Sequence, residues 1–428
     1  MTLTTPITVV RGRFLDIQKT VSQAQDIIDQ VRYIEDGVLI AKQGQIRWFG
    51  SWDDAQAHLP ANVEIQHYPE QLIIPGMIDT HIHFPQTEMV GAYGEQLLSW
   101  LNTYTFPTEI QFQDPSYAQK IAEFFIQELL KNGTTTALVF CTVHPESVDA
   151  LFEAAAQQQM RLIAGKVMMD RHAPEALCDT AESAYEDSKA LIGKWHGQGR
   201  ALYAITPRFA PTSTPEQLER AGQLKAEFPD VYVHTHLSEN KDEIAWVKDL
   251  FPAQKGYLDV YHHYGLTGNR SVFAHCVHLE DAEWQCMHET DSAIAFCPTS
   301  NLFLGSGLFP LKKTWQQQVK VGLGTDIGAG TSFSLLQTVN EAYKVQQLQG
   351  DKLSAFESLY HATLGGAKAL DLDDKLGNFN VGKEADFVVL NLKPTALQQL
   401  RQSRSKSIED SLFALFTMGD DRNIEATY

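Results

Sequence analysis

The sequence predicts an α/β chain: a (β/α)8 TIM barrel over residues 72–372, with a small β-domain formed jointly by residues 1–71 and 373–428. Three observations carry this reading. The middle of the chain alternates short β-branched runs with longer amphipathic stretches, the pattern of βα units feeding a parallel sheet. Eight such units fit into roughly 250–300 residues, the size of one barrel with its helices. The flanks read differently, as short strand runs broken by Gly and Asp, and we take the two ends to meet in one sheet.

In chain order, residues 6–70 hold the strand-like runs ITVVRGRFLD and DGVLIAKQGQIRWFG. The barrel strands are predicted at 72–83 (LIIPGMIDTHIH), 134–140 (TTTALVF), 162–170 (LIAGKVMMD) and 201–209 (ALYAITPRF). The second four fall at 231–237 (VYVHTHL), 271–279 (SVFAHCVHL), 292–300 (SAIAFCPTS) and 319–326 (VKVGLGTD). Helices fill the gaps. Asp114-Pro115 sets an N-cap before a proline at the first helical position, and Gly133 provides the stop. Thr214-Pro215-Glu216-Gln217 has capping-box spacing. Ser147 to Met160, Ala181 to Trp195 and Asn240 to Leu250 carry helical patterning. After the barrel, 376–392 (LGNFNVGKEADFVVLNL) is again strand and turn, and Thr427-Tyr428 reads as the start of a further strand, which sets the expectation of an incomplete C-terminus.

Composition narrows the class. With 43% hydrophobic and 20% charged residues the chain is that of a globular enzyme rather than a disordered segment. No apolar run reaches the ~18 residues of a membrane span, and the N-terminus lacks the pattern of a signal peptide. A formal charge of −19 argues against nucleic acid or an anionic membrane as partner. Cys141, Cys178, Cys276, Cys286 and Cys297 are odd in number and none forms a C-x-x-C pair, so neither a disulfide framework nor a thiolate metal site is expected. A cytoplasmic location follows as the expectation.

The chemistry-bearing residues fall at the C-terminal ends of the predicted strands, where barrel active sites assemble. Strand one ends in His81-Ile82-His83, and residues i and i+2 of a strand share a face, so both imidazoles can reach one ion. Strand five ends in His236, with Glu239 three residues on. Strand six carries His275 and His278, and strand eight ends in Asp326 within GLGTDIGAG. Three imidazoles and a carboxylate suit Zn²⁺ or Fe²⁺ with a position left for water. A bound water so acidified becomes a nucleophile at neutral pH, and Glu239 is free to move protons. Singly, each residue has a plainer use: a hydrogen-bonded core histidine, or an aspartate capping a helix. Their conjunction in barrel order favours the metal site. His144-Pro145-Glu146 matches half of another zinc deaminase signature whose P-C-x-x-C partner is absent, so His144 is read as a loop residue opening a helix. Lys166 lies on strand three, and no strand-four lysine stands ready to bridge two metals, so a single ion is expected.

Several segments resemble the amidohydrolase superfamily and, within it, the guanine deaminases. These are PGMIDTHIHFPQ (75–86), SWLNTYTFPTE (99–109), TPRFAPTST (206–214), THLSEN (235–240), AHCVHL (274–279), CPTSN (297–301), GLGTDIGAG (322–330) and NVGKEADFVVL (380–390). The resemblance implies a metal-dependent hydrolase that converts guanine to xanthine and ammonia in purine catabolism, with one Zn²⁺ per chain (Fe²⁺ as the alternative) and a homodimer. It implies that His81, His83, His236 and Asp326 bind the metal, and that Glu239, His275 and Asp326 handle protons. Gln86, Arg208 and Phe209 are implied to hold the purine base, together with His83, His236, Glu239 and Asp326. A guanidinium and a carboxamide suit the edge of a flat, uncharged base, and Phe209 or Trp100 offers it a ring face. Family members usually continue beyond residue 428 through a Gly-Lys-containing strand, the one departure in this chain.

Overall fold

The computed structural model describes residues 7–93 and 97–428; the first six residues of the N-terminus, read above as free of a leader, lie outside the described residues. The N-terminal flank supplies β1 (Ile7–Ile17), β2 (Val31–Lys42), β3 (Gln45–Ser51) and β4 (Ile65–Pro75). The central strands are β5 (Met77–His83), β6 (Thr134–Phe140), β7 (Arg161–Gly165), the short β8 (Val167–Met168) and β9 (Ala201–Pro207). They continue with β10 (Tyr232–Leu237), β11 (Ser271–His275), β12 (Ala293–Phe296) and β13 (Lys320–Leu323). β14 (Phe387–Leu390) and β15 (Ile424–Thr427) close the chain.

The two ends meet in one sheet, ordered β15-β14-β4-β1-β2-β3 among the described residues, while the central strands run parallel in the order β5-β6-β7-β9-β10-β11-β12-β13. Every residue of β5 and β6 is buried, as expected for parallel strands covered on both faces. The seam between β13 and β5 is closed by single bonds: Asp326 N to His81 O (2.9 Å), His83 N to Ile327 O (3.0 Å) and Thr80 Oγ1 to Leu323 O (3.0 Å). Gly322 permits this approach, since a Cβ there would stand 2.3 Å from Thr80 Cγ2.

Several boundaries differ from the sequence expectation. The predicted first strand is two strands meeting at Gly76, and residues 72–75 pair with β1 and β14 in the terminal sheet. Strand three breaks at Lys166 into β7 and β8. The fourth, sixth and eighth strands stop at Pro207, His275 and Leu323, so Arg208, Phe209, His278 and Asp326 lie on the loops that follow. The C-terminal flank also holds helices Ala396–Gln402 and Ile408–Met418. Asp114 caps its helix through Ser116 N, as its sequence predicts. The Thr214 box is half made: Thr214 accepts from Gln217 N, but its own N–H is taken by Asp170 Oδ1 at 2.7 Å, and the Gln217 amide does not return the bond. The five cysteines are unpaired, and among the described residues no helix is long and apolar enough to cross a membrane.

Candidate active site

β5 delivers His81 and His83 to the barrel mouth on one face, and β10 delivers His236 by the same period-two geometry. His275 and Asp326 have φ of 71° and 51°, the left-handed region in which a non-glycine residue costs about 1–2 kcal/mol. That turn aims both side chains inward. It is held for Asp326 by the bond to His81 O, and beside His275 by Cys276 N on Leu237 O at 2.9 Å.

The groups converge. His81 Nε2 and His83 Nε2 lie 3.1 and 3.3 Å from Asp326 Oδ1, and His83 Nε2 is 3.2 Å from His236 Nε2. His275 Nε2 is 3.8 Å from Asp326 Oδ2 and 3.5 Å from Glu239 Oε2. Two sets, His81–His83–His236 and His81–His275–Asp326, have their ligating atoms within 4.8 Å of one another. The other ring nitrogen is engaged in three of the four imidazoles: His236 Nδ1 donates to Arg208 O (2.7 Å), His275 Nδ1 to Asn301 Oδ1 (2.9 Å), and His81 Nδ1 faces His234 Nε2 (2.8 Å), while His83 Nδ1 is buried without a partner. Burial lowers the pKa of His81, takes His83 down to about 3 and holds His236 well below the usual range, so these imidazoles are neutral with lone pairs to offer. Burial works to raise the Asp326 carboxyl, but the imidazoles of His81 and His83 outweigh it and keep it ionised. His81 Nε2 is buried without a hydrogen-bond partner. Neutral imidazoles, an anionic carboxylate and an orphaned ring nitrogen fit a divalent cation.

Above this cluster opens a pocket of about 420 Å³, solvent at its mouth included, lined by Gln86, Trp100, Arg208, Phe209, Leu304 and Ala329 besides His83, His236, His275 and the carboxylates. Glu239 is buried within it and accepts from Ser306 Oγ at 3.1 Å. Burial, reinforced by the Asp326 charge, pushes its carboxyl up to about 8, so it holds a proton at neutral pH. All nine residues named for the site are thus in one place. His278 is not among them; its Nε2 donates to Ser306 O (2.8 Å) and fixes the loop bearing that serine. Lys166 is buried against Asp179, and His144 stands at the N-terminus of the helix Pro145–Gln157.

Five neighbours carry no assignment from sequence: Glu109, His234, Glu243, Asn301 and Ser306. His234 was findable, because His234-Thr235-His236 repeats the H-x-H pattern of β5. Glu243 takes the N–H groups of Glu239 and Asn240 (3.0 and 3.1 Å) and the Tyr257 hydroxyl (2.7 Å), anchoring the Glu239 backbone. Asn301 and Ser306 sit on a loop and short helix with no spacing signal.

Comparison with known proteins bears on this geometry. Residues 72–428 match the amidohydrolase family. The chain belongs to that family. The guanine deaminase of Escherichia coli K12 is 64% identical over 419 residues, 98% of this chain and 95% of that one. The solved structure of E. coli guanine deaminase superposes with a TM-score of 0.96 at 61% identity, covering 99% and 97% of the two chains. A guanine deaminase from C. acetobutylicum with bound guanine in its active site superposes with a TM-score of 0.89 at 31% identity, covering 99% and 98%. This amidohydrolase therefore shares its barrel and terminal sheet with structures of that activity.

Proposed function

We propose that the chain is a metal-dependent guanine deaminase, converting guanine and water to xanthine and ammonia. The observation that carries the reading is the junction of the His/Asp cluster with a buried Glu239 under a wall bearing Arg208 and Gln86. The similarity to guanine deaminases over nearly the whole chain supports it.

His81, His83, His236 and Asp326 are the residues that would hold the metal, with His275 beside them, and Zn²⁺ is the ion we favour for an imidazole-rich set with one carboxylate. When bound, the ion supplies a water acidified enough to act as a nucleophile at neutral pH. Arg208 and Gln86 face the carbonyl and ring-nitrogen edge of the base, and Phe209 and Trp100 cover its faces. Asp326 accepts the proton that the attacking water loses. Glu239 delivers its proton to the ring nitrogen next to C2, takes the remaining hydroxyl proton as the C2 carbonyl forms and passes it to the departing amine; the proton held by Asp326 then restores Glu239. His275, its ring held by Asn301, stands with Nε2 beside the oxygen developing at C2 and steadies it.

The test is turnover by zinc-loaded protein and by its Glu239→Gln variant. Wild type should release xanthine and ammonia in equal amounts. The variant should keep its zinc and lose about 10²–10⁴-fold in kcat, the usual worth of a positioned proton carrier. Near-normal turnover by the variant would overturn the assignment of Glu239.

A further inference from the structure

Glu109 is a fully buried carboxylate at the end of the short helix Phe106–Glu109. Arg208 Nη1 donates to its two oxygens at 3.0 and 2.8 Å, and Gln86 Nε2 donates to it at 3.2 Å. Glu109 itself does not line the cavity; the two residues it binds do. Gln86 Oε1 in turn accepts from Gly328 N at 3.2 Å, so the carboxamide plane is fixed with its NH₂ toward Glu109. Arg208 is buried too, its guanidinium carbon 5.6 Å from the centre of the Phe106 ring, and Glu109 engages it through Nη1.

A buried guanidinium alone is a strong anion trap, because charges out of water attract counter-ions far more steeply than charges in it. Joined to a carboxylate inside the wall, it is half of a neutral pair that still presents N–H donors to a ligand. We propose that Glu109 is a charge-setting and positioning residue: by neutralising Arg208 within the wall, it makes the pocket select uncharged purines and reject anionic ones. Rejection of this kind is specificity by an unfavourable term rather than an added contact. The inference rests on the guanine reading and deepens it. Guanine is uncharged near neutrality, whereas xanthine, with two carbonyls, gives up a ring proton more readily. A wall that disfavours the anion releases product while admitting substrate. Asp326, Glu239, Glu243, His83, His236 and His275 also face the cavity, but they act on ligands alike with or without Glu109.

The experiment measures binding of hypoxanthine, an uncharged oxopurine, and urate, a monoanion, to zinc-loaded full-length protein by calorimetry at pH 7. Wild type should prefer hypoxanthine. Glu109→Gln should shift the hypoxanthine-to-urate affinity ratio toward urate by roughly tenfold, the scale of one exposed charge imbalance in a desolvated wall. Glu109→Asp, which keeps the charge, should stay within about twofold of wild type. Should E109Q fail to fold, R208Q must shift the ratio the opposite way, against urate. An unchanged ratio in folded E109Q, or in R208Q where E109Q does not fold, overturns the proposal. Because binding needs no turnover, an absence of guanine hydrolysis by wild type overturns the activity reading alone.

Discussion

Glu239 and Glu243 stand four residues apart on the turn into the helix Lys241–Leu250, both buried, with carboxyls raised to about 8 and about 7 chiefly by that burial. Raised carboxyl pKa values stabilise the fold fully below the ordinary value of 4.5, and that contribution is lost as pH climbs through 7 to 8. Above pH 7 the buried histidines are neutral whether folded or unfolded, so metal-free protein should melt at a lower temperature at pH 9 than at pH 7, and Glu239→Gln should flatten the decline. A melting temperature that rises over this range would contradict the burial argument. A second expectation concerns the ligands. His83→Ala should lose most of its bound zinc, read by metal analysis after dialysis, while E239Q keeps its own. Among residues, the histidines and Asp326 were legible because H-x-H and strand-end placement are periodic signals. Glu109 was not, since a carboxylate meeting an arginine 99 positions away leaves no trace in local spacing.

At the scale of elements, the eight barrel strands were legible in kind because each is a short buried run followed by a helix. Their ends were not. Backbone pairing stops at His275 and Leu323, whereas the apolar pattern runs on into the loops that carry the chemistry. The break at Gly76 is equally silent, since both sides of it are apolar; its cause is a hand-over from the terminal sheet to the barrel. The seam between β13 and β5 is the element contact most exposed to test. Gly322→Ala sets a methyl against Thr80 and should cost about 1–3 kcal/mol as an overpacking change. Because the same seam carries Asp326 N to His81 O, the variant should also weaken zinc binding. Chemical denaturation and a zinc titration read the two effects, and neutrality in both would show that the seam yields freely.

Across the whole molecule, the terminal sheet is tied to the N-terminal side of the barrel by charge. Arg161 Nε donates to Glu384 (3.0 Å), and Arg200 Nη1 donates to Asp386 (3.0 Å), while Arg200 also pairs with Glu384. This cluster lies away from His81 and Asp326, so Arg200→Ala should lower stability with little change in kcat/KM; a selective loss of activity would show that the sheet reaches the site. The meeting of the two chain ends was legible from pattern, as matching strand-and-turn flanks around an alternating βα middle. The helix Ile408–Met418 lies in a flank whose legible signal, the strand and turn of residues 376–392, ends before it. On the proposed function, one pocket joins a metal site to a wall made for guanine. The most direct measurement compares kcat/KM of zinc-loaded protein on guanine, adenine and cytosine, following ammonia release. Turnover of guanine is expected far above that of the other two, with loss of that preference in Arg208→Gln. Equal or greater turnover of adenine or cytosine would contradict the reading of Arg208 and Gln86 while leaving the metal cluster in place.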